Sequence, residues 1–157
     1  MFATLKRKLL GDRRPVDRRV ENHILGSLIY SDDDDAWLTE EGSTQLKFSF
    51  YISGSQDLSL PKKIPDLALV KQAESVALCQ DSFIAEVMAY IQSESKAKKR
   101  HGGWVEEIAQ LRLESLCLFW PERPRDGQIS LSGGSDYRLW RCGYIDGKPD
   151  GGLNFDS

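Results

Sequence analysis

The chain has 157 residues, 40% of them apolar and 29% charged, with a formal net charge of −3 at pH 7. That length folds most simply as one domain burying about 70% of the surface its unfolded chain exposes, and the ordinary composition excludes the disordered, fibrous and membrane-embedded classes. The slight acidity weighs against a dedicated nucleic-acid binder, which needs a surplus of Lys and Arg facing the phosphates.

Residues 1–20 form a basic lead-in, and residues 21–157 are expected to form a single α+β domain. Between Met1 and Arg19 stand seven bases (Lys6, Arg7, Lys8, Arg13, Arg14, Arg18, Arg19) against Asp12 and Asp17. Phe2, Leu5, Leu9 and Leu10 fit one side of a short helix ended by Gly11, which allows a basic amphipathic anchor. One or two marginal turns bind membranes poorly, so the preferred reading is a segment whose apolar side packs on the domain and whose charges are solvated. No apolar run approaches the ~20 residues that span a bilayer, and no signal peptide is visible, so a cytoplasmic protein without membrane attachment is expected.

His23 to Tyr30 predicts a strand, and Asp32, Asp33, Asp34 and Asp35 a turn. Consecutive carboxylates repel, and solvation or a bound cation relieves them. A calcium loop needs alternating acids, a central Gly and a distant Glu; Ala36 and Trp37 stand where further ligands are wanted, so no metal site is expected. Gln45 to Ser53 alternates Leu46, Phe48, Phe50 and Ile52 with Lys47, Ser49, Tyr51 and Ser53, the pattern of a half-buried strand. A loop rich in Gly, Ser and Pro follows to Pro65.

From Asp66 to Ala97 the period changes to 3.6, with Leu69, Ala73, Val76, Gln80, Ile84, Val87 and Ile91 on one stripe. Asp66 is a cap for one helix, and Asp81-Ser82 caps a second. His101, in the basic Gly-ended loop that follows, has no orienting partner nearby and is not expected to be catalytic. Trp104 to Leu111 predicts a short helix. Three strands then form an antiparallel meander, Leu113 to Trp120, Gln128 to Ser132 and Tyr137 to Tyr144, with a fourth at Leu153 to Phe155. Leu113 to Trp120 is apolar on both sides and belongs centrally, with Leu116, Leu118 and Trp120 opposed by Cys117 and Phe119. Trp140, Cys142 and Tyr144 share one side of the penultimate strand, Leu139 and Arg141 the other. The expected fold is an antiparallel sheet of about five or six strands with the helical region packed on one face. Cys79, Cys117 and Cys142, an odd set within apolar segments, read as buried reduced thiols.

The sequence carries no Walker-type loop, GxGxxG, HExxH, paired CxxC or GxSxG elbow, so no catalytic residue, metal ligand or cofactor is expected. Acids near one another (Glu106 with Glu107, Asp146 with Asp150, the Asp32 to Asp35 run) keep a small hydrolase or metal-dependent enzyme as the alternative.

Three stretches carry a resemblance: LGSLIYSDDDDAWL, the Gly103-Trp104 helix start, and LRLESLCLF with DGQISLSGGSDYRLWRCGYIDGKPDGGLNFD. Together, over roughly Glu21 to Asp156, they resemble a family of uncharacterised bacterial proteins known as a domain of unknown function. Related families look like immunity proteins, which bind and neutralise toxins. The resemblance implies a non-enzymatic cytoplasmic domain whose partner is another protein, a toxin that it inhibits. Family members tend to carry a Gly-His pair soon after the Trp of the penultimate strand, where this chain has Trp140-Arg141-Cys142-Gly143-Tyr144. Partner-facing charges are expected at Asp32, Asp33, Asp34, Asp35, Asp136, Arg141, Asp146 and Asp150, against the plainer reading that the acids serve solubility. Oligomeric state is not written in the sequence.

Overall fold

A computed structural model describes residues 11–42, 45–97, 104–133 and 138–155. The proposed helix around Phe2 to Leu10, together with His101, Asp136 and Tyr137, lies outside the described residues. Four strands come first: β1 (Arg19–Asn22), β2 (Gly26–Ser31), β3 (Ala36–Thr39) and β4 (Ser49–Ser53). Three helices follow: α1 (Leu67–Leu78), α2 (Gln80–Ala97) and α3 (Val105–Ala109). Four strands end the fold: β5 (Arg112–Leu118), β6 (Gly127–Ser132), β7 (Trp140–Ile145) and β8 (Lys148–Phe155).

All eight strands form one sheet in chain order. It is larger than the five or six strands expected, because β1 and β3 are four residues each, too short to show a period of two. It is also not wholly antiparallel: β4 and β5 run parallel, since the chain between them crosses over through the helices. Where the connections are short, turn chemistry is visible. Asp35 adopts φ 46 between β2 and β3, and Asp146 and Gly147 adopt φ 51 and 79 between β7 and β8, the left-handed pair that a two-residue hairpin turn requires.

Asp66 caps α1 as expected, accepting from the Leu69 amide at 3.1 Å. The helices separate at Cys79. Leu69, Ala73, Val76, Phe83, Val87, Ile91 and Ile108 seal one face of the sheet, meeting Phe50, Ile52, Leu116, Leu118, Ile129, Leu131, Trp140, Cys142 and Tyr144 in a single core. Tyr144 keeps its hydroxyl satisfied there by the Gln72 amide at 2.7 Å. Gln80, assigned to the apolar stripe, is a clip instead: it accepts from the Lys47 amide at 2.9 Å and donates to the Gln45 carbonyl at 3.1 Å.

Residues 11–18 are woven into the domain. Val16 bridges Lys63, and the Trp37 indole donates to the Asp17 carbonyl at 2.8 Å. The expectation of solvated bases fails at Arg14, whose buried guanidinium donates to the Asp12 carboxylate and to the carbonyls of Asp57 and Leu60. Two other expectations need correction. Cys79 is exposed at the helix junction, although Cys117 and Cys142 are buried. Phe119 and Trp120 stand beyond the end of β5, because Pro121 cannot donate to a ladder and the chain turns, with Arg123 bonding back to the Trp120 carbonyl at 2.9 Å.

Candidate binding face and groove

The sheet face opposite the core carries none of the three described helices. Alternation along each strand sends a polar row across it: Ser49, Ser115, Ser130, Arg141 and Asn154 are consecutive register partners from β4 to β8. A parallel row holds Leu38, Tyr51, Cys117, Gln128, Gly143 and Asp150. Cys117 is buried yet stands apart from the core cluster. Burial pushes its thiol pKa up, partly offset by the neighbouring Ser115 hydroxyl and the Arg141 charge.

The ladder between β7 and β8 is interrupted on this face. Arg141 pairs with Asn154, but Gly143 pairs with Asp150, so β8 spends two more residues than β7 over that interval. Gly151 and Gly152 absorb them at φ 79 and 84, where residues with a Cβ are strained. Beside this bulge lies a groove of about 520 Å³, floored by Gly127, Gly143, Gly151 and Gly152 and walled by Phe119 and Trp120, with Gln128, Arg141 and Asn154 supplying polar groups. Phe119, Trp120 and Ile145 remain 38%, 37% and 46% exposed. Ile145 stands at the rim, its Cδ1 within 3.8 Å of where a Gly151 side chain would begin. Phe119 and Trp120 meet edge to face, 5.8 Å between ring centroids, and the Arg123 guanidinium stacks on Trp120 at 4.7 Å.

Among the described residues both edges of the sheet are blunted against strand addition. The β1 edge is four residues long and carries Arg19 and Glu21. Along β8, Pro149 has no amide hydrogen, the Gly151 amide donates to its neighbour Asp150, and the Gly152 amide donates to the Tyr90 hydroxyl of α2 at 2.8 Å. Such devices blunt an edge.

The residues singled out from the sequence fall in different places. Asp32 to Asp35 make the exposed β2–β3 turn, mostly engaged by their neighbours. Asp32 is ion-paired with Arg18 at 2.9 Å, which lowers its pKa; Asp34 accepts from Ser31; Asp35 accepts from the Tyr30 hydroxyl and lies 3.6 Å from Lys63. Burial, and then that bond to Asp35, push the Tyr30 phenol up to about 12. Asp146 is at the same end of the sheet, four strand spacings from β3, or about 19 Å at ~4.8 Å each. It pairs with Arg125 at 3.2 Å. Asp150 holds the bulge, and of the set only Arg141 lines the groove.

The acids therefore do not converge. Glu106 is exposed, while Glu107 is bound by Arg138 and by the Trp140 indole at 3.1 and 3.0 Å. Another cavity, of about 220 Å³, is lined by Glu40, Glu41 and Glu114, but Arg19 pairs with Glu40 and the Ser132 hydroxyl donates to Glu114. Among the described residues no group of three or more His, Cys, Asp or Glu is arranged to hold a metal ion.

Compared with models of protein families, with curated proteins and with solved structures, the chain matches none. The groove must be read from its own chemistry. Sequence reasoning missed Gln128, Asn154 and the glycine floor, and it placed Phe119 and Trp120 inside a strand. The signals for the groove were Trp120-Pro121, which ends a ladder, and Asp150-Gly151-Gly152, which does not sustain one.

Proposed function

We propose that this chain is a non-enzymatic binding domain whose partner is another protein, engaged through the polar sheet face with the groove at its centre. The observation that carries the reading is that Phe119 and Trp120 wall one groove of that face and Ile145 stands beside its glycine floor, all three substantially exposed. Large aromatic side chains kept half in water beside a concavity are the groups that dominate protein interfaces once desolvated. A binding role also agrees with the scattered acids, since general acid–base work needs two groups within reach of one substrate. The sequence resemblance adds the class of partner, a toxin that the domain inhibits in the cytoplasm. No helix among the described residues is long and apolar enough to cross a membrane.

The test is affinity capture from the native cell with the full chain and with a Phe119→Ser, Trp120→Ser double variant. The expected result is a stoichiometric protein partner on the wild type that is lost on the variant, with the variant's unfolding midpoint unchanged. Equal capture by both proteins would overturn the reading.

A further inference from the structure

We infer that the groove receives an extended, uncharged stretch of the partner's chain, seating one aliphatic side chain between Trp120 and Ile145; this rests on the protein-binding reading above. The floor is the first argument. Gly143 and Gly151 present no side chain; above Gly143 the space is taken by the Asp150 carbonyl, 2.8 Å from where a Cβ would stand, but a Cβ on Gly151 would have nothing closer than 3.8 Å, so it is over Gly151 that another backbone can come down onto the sheet.

The polar groups match a peptide. The side-chain amides of Gln128 and Asn154 line the groove without a hydrogen-bond partner among the described residues, and each offers the donor and acceptor that a peptide group seeks. They flank β7 from opposite sides, Gln128 beside Gly143 and Asn154 beside Arg141. Two strand spacings across and two residues along put their backbones about 12 Å apart, the reach of three to four extended residues.

Charge decides what kind of segment. Two of the nearby bases are paired, Arg123 with Asp126 at 3.7 Å and Arg125 with Asp146 at 3.2 Å, which leaves Lys148, exposed across from Ile145, as a single cation at the rim among the described residues. Arg141, the charged group among the described lining residues, is itself engaged within the chain. A polyanion such as RNA finds no cluster of cations here, whereas a neutral backbone with an apolar anchor finds amides and aromatic walls. Because both sheet edges are blunted, the segment lies on the face and does not extend the sheet.

A display library of random linear peptides, selected on the full chain in solution, tests this. Enriched peptides should share an aliphatic position and little net charge. Their affinity should hold as salt rises, fall at least about tenfold on Trp120→Ser or Ile145→Ser, and fall several-fold on the Gln128→Ala, Asn154→Ala pair, with unfolding midpoints unchanged. Amide resonances of Gly143 and Gly151 should shift on binding. Enrichment of acidic peptides with salt-sensitive affinity, or of none beyond those that also bind the Trp120→Ser protein, would overturn the inference. If partner capture still needs Phe119 and Trp120 while linear peptides do not, the extended occupant falls and the protein-binding reading stands; if neither needs them, both fall.

Discussion

The two faces of this sheet are written by alternate residues of the same strands, and they have opposite chemistry. Phe50, Leu116, Ile129 and Cys142 form one cross-strand row under the helices; Ser49, Ser115, Ser130 and Arg141 form the neighbouring row on the other side. Ser115 and Ser130 are only 5% and 8% exposed, although none of the described helices lies over them. Small side chains deep in a broad sheet are shielded by larger neighbours such as Tyr51, Gln128 and Arg141. Burial alone therefore does not mark a core. An apolar second face would demand another layer to cover it, whereas short hydroxyls are stable near water and keep the face shallow enough to be approached.

The largest test of this contrast is Trp140→Ala. Trp140 is fully buried against Phe155, 4.7 Å between ring centroids, and its indole donates to Glu107, so it ties β7 and β8 to α3. The expected loss is about 3–5 kcal/mol in urea denaturation, and a loss under about 1 would mean that the helix-covered face is not the core. A matched pair sharpens the comparison. Cys142→Ser places a hydroxyl in the apolar row and should cost about 1–3 kcal/mol. Cys117→Ser, beside Ser115 and Ser130, should stay within about 0.5. Equal costs would make the polar face a second core.

The same pair predicts an alkaline difference. Burial pushes the Cys142 thiol up to about 12 from an ordinary 9.0. A pKa raised in the folded state contributes stability that is complete below the unfolded value and is lost as pH rises through the folded one. Unfolding measured between pH 9 and 12 should therefore show a decline in stability that Cys142→Ala makes shallower.

How much of this was legible depends on where periodicity could be read. The helical stripe and the row Trp140, Cys142, Tyr144 stood out because each repeats for several turns or strand residues against one core. β1 and β3 did not, since four residues give only two positions per face. Gln80 sat on the apolar stripe by spacing, yet its amide clips the chain before β4; spacing assigns a face, not a partner. Arg14 looked solvated because a guanidinium usually is, and only the loop at Asp57 and Leu60 supplies the carbonyls that let it be buried. The groove was the least legible feature, being made by a bulge and a strand end, both of which are departures from periodicity.

The smallest expected effect concerns the acids that drew attention first. Replacing Asp32 to Asp35 with Ser takes the formal net charge from −3 to +1. If a basic partner is steered by these charges, association at low salt should slow while dissociation stays the same, because charges away from the contact act on encounter. The slowing should be less than about tenfold, the low end of what steering supplies. Arg18 already pairs with Asp32 and Lys63 lies beside Asp35, which leaves Asp33 and Asp34 as the main sources of field. The turn stands about 19 Å from the β7–β8 hairpin by strand count, beyond the ~10 Å screening length at 0.1 M salt, but Asp35 lines one cavity with Phe119, so the turn lies near that wall of the groove. An unchanged association rate at low salt would assign these four carboxylates to solubility and leave recognition to Phe119, Trp120 and Ile145; a change in dissociation rate instead would place the turn inside the contact and enlarge the binding surface toward β2 and β3.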